Sequence, residues 1–176
     1  MPQNEGFLHQ NRTEKTTDVW LTPPWIIEAF GPFDLDPCAA NPRPFNCAAK
    51  NYTEQDNSLI LPWEGLVFMN PPYGRETGVW MDKMAEHNNG IALVFARTAT
   101  KWWHRTVSKA TGILFPNKLI KFLYADGSMP KFAAPSPSCF ISFGLEARNR
   151  LLYAWSEYNL GMFVEGPGKQ ECTFLT

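Results

Sequence analysis

The sequence predicts a single α/β domain built on a largely parallel, doubly wound sheet. Three observations carry that prediction. The runs "GLVFMN" (residues 65–70) and "GIALVFAR" (residues 90–97) are apolar on both faces, as strands covered on both sides are. Strand-like runs alternate with helix-spaced segments. No repeat or linker divides the 176 residues, and a chain of that length buries roughly 70% of its unfolded surface without staples.

The elements follow in order. Residues 1–17 are polar and read as a flexible tail ahead of a domain over 18–176. "TPPWIIEAF" reads as a short helix, with Thr22 as N-cap, Pro23 at the first helical position and Gly31-Pro32 as its stop. "FDLDP" is a short strand whose end carries Asp34 and Asp36. Residues 37–58 have no period and read as loop or short irregular elements. After "GLVFMN", the segment "ETGVWMDKMAEHN" sets Val79, Trp80, Lys83, Met84 and His87 on one side at helical spacing. "GIALVFAR" is followed by "TKWWHRTVSKA", a helix capped by Thr100. "GILFP", "KLIKFL" and "CFISFG" read as strands, and "YADGSMPKFAAPSPS" (124–138) as a loop dense in Gly, Pro and Ser. "NRLLYAWSEYNL" reads as a helix and "GMFVE" as a last brief strand.

Composition excludes several classes of function. No run approaches the ~18 apolar residues of a membrane span, and the polar N-terminus lacks the apolar centre of a signal peptide, so a cytoplasmic protein is expected. Cys38, Cys47, Cys139 and Cys172 form no C-x-x-C pair, and His9, His87 and His104 are scattered. Neither a zinc site nor a disulfide framework is expected. The net charge of −1 argues against a general nucleic-acid binder. Residues 97–131 nevertheless hold Arg97, Lys101, Arg105, Lys109, Lys118, Lys121 and Lys131 against the single Asp126. That excess reads either as solvated surface or as a patch for phosphates.

The chemistry sits in Asn70-Pro71-Pro72-Tyr73, at the carboxyl end of a buried strand, where ligands of open α/β sheets bind. Each proline fixes its own φ and lacks an N–H, and each pushes the residue before it towards extended geometry. The turn therefore has few conformations. It presents the Asn70 side-chain carbonyl and backbone carbonyls beside the flat Tyr73 ring. Such an acceptor cluster suits a planar amine donor. The lone pair of an adenine amine is delocalised into its ring. Two acceptors on its N–H groups favour tetrahedral nitrogen and hold the positive charge that develops during methyl transfer. Tyr73 would then stack on a base turned out of its helix. The other reading of these four residues is a turn that closes a strand, with Tyr73 packed inside.

The order W-x-TP (from Trp20), FDLDPCAA, D-x-S-L (from Asp56), W-x-G-x-VFMNPPYG and RT-x-T-x-WW (from Arg97) resembles the phage-type family of DNA N6-adenine methyltransferases, the Dam-like enzymes. The resemblance runs from about Asp18 to Phe143. It implies a Rossmann-like fold and a methyl group transferred from S-adenosylmethionine to DNA, in the host-cell cytoplasm if phage-encoded. It implies that Asn70, Pro71, Pro72 and Tyr73 form the catalytic clamp. Thr22 and Pro23 match the segment lining the methionine part of the cofactor, and Trp20 matches a position of cofactor contact or core packing. Asp34 and Asp36 match the acidic strand end, Asp36 the better, and Asp56 the acid expected near the cofactor adenine. Arg97, Lys101, Trp102, Arg105 and Lys109 are the expected DNA-contacting residues. The usual glycine-rich turn after the first strand is missing: "DPCAANPRPFN" has no glycine, and Cys38, Ala39 and Ala40 are the small residues in its place. A clamp of this kind also suits cytosine N4, an RNA base or a glutamine amide, and a degenerate DNA-binding module is the reading outside enzymes.

Overall fold

A computed structural model describes residues 19–168. The tail over residues 1–17, with His9, and Cys172 lie outside the described residues. Seven strands form one sheet in the order β2-β1-β3-β4-β6-β5-β7. They are β1 (Leu35–Asp36), β2 (Lys50–Asn51), β3 (Val67–Met69), β4 (Gly90–Phe95), β5 (Gly112–Pro116), β6 (Ser138–Phe143) and β7 (Gly161–Glu165). The helices are α1 (Pro24–Phe30), α2 (Thr77–His87), α3 (Lys101–Val107) and α4 (Leu145–Tyr158).

The parallel arrangement holds through β2, β1, β3 and β4, and the sheet then becomes mixed. β6 runs against both β4 and β5, and β7 runs against β5. β5 therefore points the same way as β1 to β4, and five strands share a direction that β6 and β7 oppose.

Side chains alternate along each strand and feed two cores. Val67 and Met69 of β3, with Ala92 and Val94 of β4, join Met81, Met84, Trp103 and Val107 beneath α2 and α3. Phe68, Ile91 and Leu93 point the other way, to Ile26, Phe30, Leu151 and Ala154 of α1 and α4. Helices thus cover both faces, which is why the two clearest strands carry no polar side.

Three local expectations change. α1 starts one residue later than expected: Pro23 is the N-cap, with φ −61° and ψ 138°, and Pro24 opens the helix. A residue before proline is held extended, so two consecutive prolines displace the helix start and free the Thr22 hydroxyl from capping. The buried stripe of α2 is Thr77, Gly78, Met81, Met84 and Ala85, whereas Val79 is exposed. "KLIKFL" forms no strand beyond an isolated bridge, Leu21 to Leu123. Both edges of β5 are already taken, by β6 and β7, so the segment after it cannot pair beside β5. It instead crosses the carboxyl end of the sheet, burying Ile120, Phe122 and Leu123.

Phe140, fully buried on β6, lies 4.7 Å from the ring of Phe30 on α1. Phe140→Ala leaves a ring-sized cavity between sheet and helix layer. It should lower unfolding stability by about 3–5 kcal/mol, measured by denaturant titration.

Candidate active site

The carboxyl ends of β1 and β3 lie side by side, since Leu35 is in register with Val67. The chain leaving β1 goes to β2 on one flank, and the chain leaving β3 goes to β4 on the other. The space between them is a topological switch point, where open α/β sheets leave a crevice for ligands. Asp36-Pro37-Cys38 borders it on one side and Asn70-Pro71-Pro72-Tyr73 on the other.

The Asn70 amide is held from both ends. Its Nδ2 donates to Thr22 Oγ1 at 3.3 Å and, at the limit of a hydrogen bond, to the Trp20 carbonyl at 3.5 Å. Its Oδ1 accepts the Tyr73 hydroxyl proton at 2.9 Å. An amide oxygen has two lone pairs, so one acceptor site remains. Among the described residues no donor reaches the Pro71 carbonyl. The next carbonyl, of Pro72, accepts from Thr77 Oγ1 at 3.0 Å, and that hydroxyl accepts from Gly74 N–H at 3.1 Å. Thr77, which sequence reasoning passed over, thus ties the turn to the first residue of α2.

Tyr73 is packed as well as placed. Its ring stacks on Phe95 at 4.2 Å and 28°, and meets Phe122 edge-on at 6.2 Å. Burial raises its phenol pKa, with a smaller contribution from Cys139, so the hydroxyl keeps its proton and remains a donor. The face against Phe95 is occupied. Trp20, half-exposed, leans on Tyr124 with ring centroids 5.5 Å apart. Two backbone bonds between Leu21 and Leu123, at 2.8 and 2.9 Å, fix the segment that carries Thr22. Pro23 is buried at the start of α1.

The three predicted cofactor acids part company. Asp36 ends β1, is 6% exposed and makes no ion pair among the described residues. Its Oδ1 accepts the Cys38 N–H at 2.9 Å. Burial pushes its carboxyl from 3.8 up to about 7, opposed by that N–H, the Arg43 charge and the Cys47 thiol. Asp34 sits at the opposite end of the strand, where its Oδ2 accepts from Leu66 N–H at 2.6 Å. Side chains two residues apart share a face but not an end, so Asp34 belongs to the turn before β3 rather than to the crevice. Asp56 is exposed, and its Oδ2 takes the Thr53 N–H at 2.7 Å and the Thr53 hydroxyl at 2.9 Å. It caps the 3-10 helix Glu54–Asp56 and leaves Oδ1 outward.

The basic residues do not form one face either. Arg97 follows β4 at the carboxyl end, its guanidinium 5.7 Å from the Phe95 ring centroid. Lys101 is exposed at the start of α3. Trp102 is half-buried, and Gly78 of α2 is so close that a Cβ there would stand 3.0 Å from the Trp102 Cβ. Arg105 is spoken for by both carboxylate oxygens of Asp82, at 2.7 and 2.6 Å. α3 ends at Val107, so Lys109 lies past the helix, just before the start of β5 and at the far end of the sheet. Lys101, Arg105 and Lys109 stand at the four-residue spacing that would align them on one face of a longer helix, but an ion pair and the helix stop break that stripe.

The segment 117–137 spans the carboxyl end between β5 and β6 and carries Lys118, Lys121 and Lys131, all exposed. Its tip reaches the loop after β1: a Cβ on Gly127 would lie 3.1 Å from the Pro44 ring. No group of three metal-ligating side chains and no membrane-length apolar helix occurs among the described residues. Cys38, Cys47 and Cys139 are free thiols whose pKa values burial raises.

A family model described as DNA N-6-adenine-methyltransferase (Dam) matches residues 9–153 of this chain. No curated protein matches it, nor does any solved structure.

Asp36 gives the site a pH signature. Its folded value is raised, so the folded state keeps a proton between 3.8 and about 7 that the unfolded chain has lost. Its contribution to stability is therefore present at acid pH and lost as pH rises towards 7, with a slope of up to about 1.4 kcal/mol per pH unit. Melting curves across this range should show that slope in the wild type and a flatter one in Asp36→Asn.

Proposed function

The chain belongs to the DNA N-6-adenine-methyltransferase (Dam) family, and on that premise we propose that it transfers a methyl group from S-adenosylmethionine to the N6 amine of adenine in DNA, with Asn70 and Pro71 as the amine clamp. The observation that carries this reading is the Asn70 amide: pinned through Nδ2 and through one lone pair of Oδ1, with its other lone pair open beside the unpartnered Pro71 carbonyl. Residues 18–176 are assigned to the methyltransferase domain.

The cofactor fits the crevice on the chemistry of its walls. Asp36 is a buried carboxyl without an ion pair, which a cationic partner would return to its charged form. Cys38, Ala39 and Ala40 keep the turn after β1 low in the absence of glycine. Asp36 would hold the cationic amino acid part, with Thr22, Pro23 and Trp20 on the neighbouring segment. The free oxygen of Asp56 would face the adenosine. When bound, S-adenosylmethionine supplies an electrophilic methyl group on a sulfonium.

The chain's own residues do the rest. Asn70 Oδ1 and the Pro71 carbonyl accept one N–H each from the target amine. They draw the nitrogen lone pair out of the ring and meet its developing positive charge. Because the Tyr73 hydroxyl and Thr22 already orient the amide, little reorganisation is needed when the amine arrives. The Tyr73 ring offers its face away from Phe95 to the base. No general base is required beside the clamp, because the amine proton becomes acidic once the methyl has transferred.

DNA would lie across the carboxyl end, with Arg97, Lys101 and the cations of segment 117–137 on its phosphates. Arg105 is held by Asp82 and Lys109 lies past α3 towards the other end of the sheet, which supports giving them no share in this surface.

Asn70→Ala should lower kcat by on the order of 10²–10³, the loss typical of one preorganised hydrogen-bonding group. Cofactor affinity, measured by calorimetry, should be nearly unchanged. A kcat within about threefold of wild type would remove the clamp. For DNA, changing Lys101, Lys118, Lys121 and Lys131 together to Gln should flatten the slope of log K against log salt by up to about 3.6 units. Lys109→Gln should leave the slope as it is. The reverse result would put the DNA on the opposite end of the sheet.

A further inference from the structure

Lys83 lies on α2, the helix that follows the catalytic turn, and its ammonium carries three N–H donors. Each finds a backbone carbonyl: Ser58 O at 2.9 Å, Leu59 O at 2.7 Å and Leu61 O at 2.6 Å. Three carbonyl dipoles converging on one point repel one another, and the ammonium is the charge that offsets this. The loop's own backbone adds little to this. Over residues 57–61 the backbone contributes one bond of its own, Ile60 N–H to Asn57 O at 3.1 Å, and Asn57 is left-handed at φ 47°.

The same loop is tied to the crevice. The buried Ser58 hydroxyl donates to the Pro37 carbonyl at 2.6 Å, one residue past Asp36. Trp63 supports both ends of the link. Its indole N–H donates to Ser58 O at 2.9 Å, and its ring lies 5.1 Å from the Lys83 ammonium. A continuous chain of contacts therefore runs from α2, through Lys83 and Ser58, to the turn after β1.

We propose that Lys83 is a positioning residue for cofactor binding: its ammonium shapes residues 57–61 into a wall that meets the Asp36–Cys38 turn and completes the S-adenosylmethionine site. This rests on the methyl-transfer reading above. Lys83 itself touches no reacting atom, so its effect falls on cofactor affinity and not on the methyl-transfer step. Removing the ammonium leaves the Leu59 and Leu61 carbonyls unsatisfied, leaves Ser58 O to the Trp63 indole alone, and frees the loop.

The test measures the Kd of S-adenosylmethionine by calorimetry, and kcat on DNA at saturating cofactor. Lys83→Met keeps the apolar stem and removes the donors. Its Kd should rise by about 10- to 100-fold, the range of one or two hydrogen bonds to a charged group, while kcat at saturation stays within about threefold. Lys83→Ala should be weakened likewise and regain affinity with millimolar propylammonium. Lys83→Met should not regain it, because its side chain fills the channel. If the Lys83 variants do not fold, Ser58→Ala leaves the ammonium in place, removes only the tie to Pro37 and should raise Kd by about 3- to 10-fold. A folded Lys83→Met or Ser58→Ala with wild-type Kd overturns the inference. So does a loss confined to kcat. Wild-type protein that binds no S-adenosylmethionine overturns the methyl-transfer reading, and this inference with it.

Discussion

The proposed amine clamp depends on the orientation of one side-chain amide. The Trp20 carbonyl can only accept a hydrogen bond, so the side of the Asn70 amide that faces it is the NH₂. That choice turns Oδ1 towards the Tyr73 hydroxyl, which donates to it at 2.9 Å. Rotated by half a turn, the amide would place oxygen against oxygen at Trp20 and offer donors where an amine needs acceptors. Each contact that fixes the orientation comes from a different stretch of chain: the segment before α1, the double-proline turn, and the aromatic pair Phe95 and Phe122 that backs Tyr73.

The rest of the fold brings these stretches together. Parallel pairing of β1, β3 and β4 puts their carboxyl ends on one edge. The two bonds between Leu21 and Leu123 lay the first segment alongside the strap that follows β5. Thr22 reaches Asn70 because two prolines delay α1 and leave the hydroxyl unused as a cap. On the other wall, Asp36 remains buried without an ion pair, a cost to folding that a cationic ligand would offset. The wall is thus least comfortable in the free protein, which supports the proposed binding of a cationic ligand there.

Much of this was legible in the sequence, and the physical reason differs from place to place. β3 and β4 declared themselves because helices cover both of their faces, and such strands are apolar throughout. The Asn70–Tyr73 turn was legible because proline restricts the backbone whatever surrounds it. What escaped depends on partners far away in the chain. Arg105 looked like a free cation until Asp82, on another helix, accepted from its Nε and Nη2. "KLIKFL" has strand composition, yet both edges of the strand it follows are already taken. Asp34 and Asp36 lie two residues apart on one face, and only the shortness of β1, Leu35–Asp36, leaves Asp34 before the strand, bonded to Leu66 N–H. Lys83 looked like one member of a helical stripe, and its three carbonyl partners lie more than twenty residues upstream.

The most direct measurement is the identity of the methylated atom. The protein is incubated with methyl-labelled S-adenosylmethionine and DNA, the DNA is digested to nucleosides, and the label is located by mass spectrometry. The account predicts label in N6-methyladenine. Label in N4-methylcytosine, in RNA or protein offered in parallel but not in DNA, or in no acceptor at all would contradict it.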